Sequence, residues 1–122
     1  MSTVFFYDTM IRMKSGITFE KLETYKPASE KEQNLVKAFA SLKNENEAGA
    51  LLRDLLTSAE ISEFSNRLEI ARLLLKEKMS YQEIAKEIGT STTTVTRVAH
   101  WLFKGCGGYW TVLQRLFNKD EK

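Results

Sequence analysis

The segment ISEFSNRLEIARLLLKEK, residues 61–78, constrains this chain more than any other. Ile61, Phe64, Leu68, Ala71 and Leu75 fall on one helical stripe, while Ile70, Leu73 and Leu74 lie on the other side of the same helix. A helix that is apolar on more than one face has to be covered on more than one face. A chain of 122 residues has little other material to do this. The expectation is a dimer of interleaved helices, weighed against a central helix in a compact monomer.

The rest of the chain reads as further helices. Ser29 with Glu32, Thr57 with Glu60 and Ser80 with Glu83 each have the spacing of a capping box, in which two side chains satisfy free N–H groups at a helix start. After Pro27, the first stripe is Leu35, Val36, Phe39 and Leu42. Asn46 is the expected cap of a second helix carrying Ala50, Leu51, Leu52, Leu55 and Leu56. A short helix over Tyr81 to Ile88 should end at Gly89, and another should run from about Thr92 to Phe103. Gly105, Gly107 and Gly108 break it before a last helix with Tyr109, Val112, Leu113 and Leu116 as its apolar side. Residues 1–26 show no clean period and form an N-terminal extension, either an arm or a disordered stretch. Residues 27–122 make one helical domain.

The stretch SYQEIAKEIGTSTTTVTRVAHWL has the form of a helix-turn-helix, spanning about residues 81–104 with its flanks. Ala85 is small enough for a second helix to cross closely, and Ile84 and Ile88 face the core. Gly89 supplies the turn. Val95, Val98, Ala99 and Leu102 share one side of the second helix. Thr93, Thr96, Arg97, His100 and Lys104 occupy the opposite side, which holds hydroxyls, cations and an imidazole but no carboxylate. Threonine is a mediocre helix former. Short hydroxyl side chains at a helix start are nevertheless well suited to a DNA major groove, which admits a helix and is read by its N-terminal residues. The net charge of +2 says little, but no Asp or Glu occurs from Ile88 to Lys119, a stretch holding Arg97, Lys104, Arg115 and Lys119. A local cationic zone attracts phosphate. The expected partner is double-stranded DNA. A helix-turn-helix that binds another protein through its apolar surface is the alternative.

Other classes find little support. His100 and Cys106 have no evident partner acid, and neither metal-ligand spacing nor a phosphate loop after a strand is present. No enzyme, metal or cofactor is therefore expected. One cysteine excludes an internal disulfide and fits a reducing compartment. The N-terminal apolar run is too short for a signal peptide, and no run approaches a membrane span, so a soluble cytoplasmic protein is expected.

Residues 51–104, which include LLTSAEISEFSNRLEIARLLLKEKMSYQEIAKEIGTSTTTVTRV, closely resemble the Trp-repressor superfamily. With the later Gly-Gly-Tyr, the chain is most similar to the YerC/YecD branch. The resemblance implies an all-α, Trp-repressor-like helical bundle, an intertwined homodimer and two reading heads set about 34–36 Å apart. It places Thr92, Thr93 and Thr96 where the family meets bases, and Gln82 and Thr94 where it meets the DNA backbone. In the tryptophan-binding member two arginines flank the indole, and Arg67 and Arg97 match them. The glycine after the second arginine is Val98 here, and a serine further along is Trp101. Both changes add volume to a packed cavity. A repressor that does not use free tryptophan is therefore expected, with Trp101 partly filling the vacated pocket or simply packing in the core. Whether any other small effector binds is left open.

Overall fold

The computed structural model describes residues 24–117, and within them the chain is helical with no strand. Its helices are α1 (Glu30–Ala40), α2 (Glu45–Leu55), α3 (Ser58–Lys76), α4 (Tyr81–Ile88), α5 (Thr92–Lys104) and α6 (Gly108–Phe117). Most of the N-terminal extension lies outside the described residues. No described helix is long and apolar enough to cross a membrane.

Helix starts are set by their caps. At α3, Thr57 N–H donates to Glu60 Oε1 at 2.9 Å and Glu60 N–H donates back to Thr57 Oγ1 at 3.1 Å. At α1 only half of the expected box forms. Ser29 Oγ accepts from Glu32 N–H at 3.2 Å, while the Glu32 carboxylate accepts from the Tyr25 hydroxyl. The cap of α2 is Asn44, two residues before the expected Asn46. Asn44 Oδ1 accepts from Glu47 N–H at 3.0 Å, and the Glu47 carboxylate reaches back to Lys43 N–H at 3.1 Å. Starting there places both Glu45 and Glu47 in the first turn, where the helix dipole favours negative charge.

The described chain divides into two units within α3. In the unit Tyr25–Asn66, no residue of α1 or α2 is buried, although Leu35, Val36, Phe39, Leu52 and Leu55 are large and apolar. The unit from Arg67 onward holds the core. Ile70, Ala71, Leu74 and Leu75 of α3 pack in one cluster with Ile84 and Ala85 of α4, with Val95, Val98, Ala99 and Leu102 of α5, and with Trp110 and Leu113 of α6. Trp110 is 2 % exposed and was not among the expected apolar residues of α6. The expected Val112 and Leu116 are exposed instead. Both stripes have helical spacing and share Leu113, so periodicity alone does not choose between them. A buried aromatic of this size outweighs any single cap, since removing it typically costs about 3–5 kcal/mol against about 1 for a cap.

Helix α3 ends at Lys76 because Glu77 turns into the left-handed region, with φ of 56°. An L side chain there costs about 1–2 kcal/mol, and a carboxylate beside the carbonyl end of a helix adds repulsion. Glu77→Gly removes both costs while adding chain entropy to the unfolded state. It should stabilise the protein by about 0.5–1 kcal/mol, measured as a higher thermal midpoint with unchanged helical content.

Candidate nucleic-acid interface

The site begins with the junction between α4 and α5. Ser80 opens α4 with a closed capping box, in which its N–H donates to Glu83 Oε1 at 2.8 Å and its Oγ accepts from Glu83 N–H at 3.1 Å. These bonds hold the Glu83 carboxyl below the usual carboxylate range. The helix ends at Gly89, whose φ of 83° lets its N–H and that of Thr90 both bond Ala85 O at 2.9 Å. Ser91 then caps α5, its Oγ accepting from Thr94 N–H at 3.1 Å and lying 3.0 Å from Thr94 Oγ1. Acidic side chains stand in the first turns of α1 to α4, but the first turn of α5 has none.

Helix α5 is two-sided in the way its sequence suggests. Val95, Val98, Ala99 and Leu102 are buried. Thr92, Thr93, Thr96, Arg97, His100 and Lys104 are exposed, Thr94 is half-buried beside its cap, and Gln82 is exposed on α4. The structure thus brings the expected reading residues onto one accessible side of one helix, with Gln82 on the helix before it. Thr96 Oγ1 donates to Thr92 O at 2.9 Å, the back-bond a hydroxyl makes within a helix. The His100 ring stands edge-on to Trp101, with centroids 5.3 Å apart.

The four residues expected around an effector are placed differently from one another. Val98 is in the core under α5, whereas Arg67 and Arg97 are exposed. Trp101 is 55 % exposed and lines an open apolar recess of 410 Å³ with Leu68, Cys106, Gly108, Tyr109 and Val112. Burial raises the pKa of the Tyr109 hydroxyl there, and the Arg67 charge partly offsets this. Sequence reasoning missed Leu68, Tyr109 and Val112 as a lining, because they come from two helices distant in sequence. Among the described residues no group of His, Cys, Asp and Glu side chains could hold a metal.

Two further contacts fix the end of the site. Glu69 and Arg72 of α3 form a two-pronged pair, at 2.7 and 2.6 Å, and the Arg72 guanidinium lies 5.3 Å from the centre of the Phe117 ring. This ties the end of α6 to α3 by charge as well as by apolar packing. Hydrogen bonding to Arg72 holds the Glu69 carboxyl low against the opposing effect of its partial burial.

Comparison with known proteins places this geometry. A family model described as Trp repressor protein matches residues 30–117. YerC of Bacillus subtilis (strain 168), a protein described as uncharacterized, is 38% identical over 82 residues, covering 67% of this chain and 78% of that protein. The crystal structure of a TrpR-like protein from Eubacterium eligens ATCC 27750 superposes with a TM-score of 0.65 at 37% identity, covering 73% of this chain and 91% of that one.

The turn generates a direct test. A Cβ at Gly89 meets nothing within 4 Å, so an alanine there is strained by its backbone alone. Gly89→Ala should cost about 1–2 kcal/mol, seen as a lower urea midpoint with an unchanged denaturant slope.

Proposed function

The chain belongs to the Trp repressor family, and on that premise we propose that it is a sequence-specific DNA-binding transcriptional regulator that reads the major groove with α5. The family is one of helix-turn-helix regulators and not of enzymes. The observation that supports the reading is the division of α5 into a buried apolar side and an exposed side of hydroxyls and cations without a carboxylate. Thr92, Thr93 and Thr96 stand in the first turns, the part of a recognition helix that reads bases, and Arg97, His100 and Lys104 follow further along the exposed side. Gln82 and Thr94 sit at helix starts, where N–H groups and the dipole favour phosphate. The domain extends over residues 27–122 and acts in the cytoplasm, as a repressor.

The working form is a homodimer. A unit such as Tyr25–Asn66, whose helices α1 and α2 bury no residue yet carry large apolar side chains, gains stability when a second copy covers it. Two heads per dimer would read a palindromic operator. Free tryptophan is not the co-repressor in this reading. Val98 fills core volume where the tryptophan-binding member has glycine, and Trp101 puts an indole where that member has a small hydroxyl. Isothermal titration with tryptophan should show no binding at micromolar concentration, and a micromolar constant would sink this part of the proposal.

DNA reading is tested by selecting bound fragments from random duplexes and then titrating salt. Affinity should fall steeply as salt rises. Lys104→Ala should reduce the slope of log affinity against log salt by about one. Thr93→Ala with Thr96→Ala should lower affinity for the selected sequence by about 1–3 kcal/mol per lost base contact while leaving nonspecific binding nearly unchanged. No retention on DNA at low salt would instead favour a protein-interaction module.

A further inference from the structure

Helix α5 carries the chain's only histidine, His100. It is exposed on the side proposed to face DNA. Arg97 stands three residues before it and Lys104 four after it, spacings that make side chains neighbours on a helix surface. The His100 ring packs edge-on against the Trp101 indole at 5.3 Å and 88°, which limits where the imidazole can turn. Among the described residues the imidazole forms no ion pair and no hydrogen bond. Its polar capacity is therefore not spent within the fold.

The ionisable groups around it are lopsided. Helix α5 has Arg97 and Lys104 and no Asp or Glu, with the Cys106 thiol in the turn after it. Helix α6, packed on α5, has Arg115 and the Tyr109 hydroxyl and again no Asp or Glu. On α4 stand Tyr81, Glu83, Lys86 and Glu87, and the Glu83 carboxylate is taken up by Ser80 N–H. From Arg67 onward α3 and the turn after it hold Arg67, Glu69, Arg72, Lys76, Glu77 and Lys78, with Glu69 bound to Arg72. None of these carboxylates pairs with His100. A histidine is the one side chain whose ordinary pKa, about 6.5, falls in the physiological range. Neutral, it has one N–H to give a phosphate; protonated, it has two and a full charge. A phosphodiester stays anionic throughout that range and favours the charged ring.

We propose that His100 is a proton-dependent contact to a DNA phosphate, so that the proton is a small effector of DNA binding. This rests on the DNA-reading proposal and adds to it the residue through which acidity enters. The complex then holds more protons than the separate partners, and affinity rises as pH falls. The gain is fully present below the pKa of a free histidine and is lost as pH rises through the higher value that a phosphate imposes.

Fluorescence anisotropy tests this with the full chain and labelled duplexes at constant ionic strength, between about pH 5.5 and 8, the span over which a histidine changes charge. One duplex carries a selected sequence and the other a random one. Affinity should tighten toward the acid end by about two- to fivefold per reading head, the range of an exposed charge pair. The tightening should be equal on both duplexes, because every sequence presents the same phosphates. At the acid end the slope of log affinity against log salt should steepen by about 0.9 per head. His100→Gln should flatten the pH profile, and His100→Arg should flatten it at high affinity. Acid unfolding would weaken binding, which is the opposite sign. A wild-type affinity or salt slope that ignores pH, or a pH profile unchanged by His100→Gln, overturns the proposal and leaves DNA reading standing. A pH effect confined to the selected duplex assigns His100 to a base and overturns the phosphate contact. No DNA binding at any pH in low salt overturns both.

Discussion

Everything the candidate interface can do depends on α5 being gripped from behind. Its inner side chains Val95, Val98, Ala99 and Leu102 are buried in one cluster with Ile70 and Leu74 of α3, Ile84 and Ala85 of α4, and Trp110 and Leu113 of α6. Apolar burial is non-directional, but shape makes it specific. At native packing density a side chain has few places to go. A helix held on one side by four such residues presents its other side in a fixed rotation, which is what reading base edges requires. The close crossing of α4 and α5 works because Ala85 is small and Gly89 turns through the left-handed region.

Capping divides the helices into two kinds. Where α1 to α4 begin, a nearby glutamate supplies charge to the dipole, and at α3 and α4 that charge also closes a box on the backbone. Helix α5 is capped by the Ser91 hydroxyl, with the Thr94 hydroxyl hydrogen-bonded to it and no carboxylate involved. The cap does its structural work while keeping negative charge away from the end that would approach phosphate. The same separation appears over a longer range, since the acid-free stretch from Ile88 to Lys119 covers α5 and α6 whole.

Much of this was legible in the sequence, and the failures have physical causes. The all-α class, the α4–turn–α5 unit, the left-handed Gly89 and the inner face of α5 follow from local rules, in which a residue's fate is set within one or two turns. The choice of Asn44 over Asn46 depended on where Glu45 and Glu47 would fall, which a residue-type preference does not weigh. Trp110 was missed because α6 has two apolar stripes, and only the position of α3 and α5 decides which one is buried. The recess has no sequence signal at all, as its walls come from residues 68, 101, 106, 108, 109 and 112. For the proposed reading residues, sequence located the helix and its exposed side. Which bases they would meet depends on a duplex that lies outside the chain.

The hydrogen bond from Thr96 Oγ1 to the Thr92 carbonyl bears on that last point. A hydroxyl has a single proton, and here it is already committed within the helix. In this rotamer Thr96 can accept a hydrogen bond but has none to give. Set in a groove, it would discriminate by what it can receive, favouring the amino groups of adenine and cytosine, or thymine through its methyl, over the bare acceptors on the guanine edge. A bond that merely tidies the inside of a helix thereby narrows the vocabulary of the surface outside it.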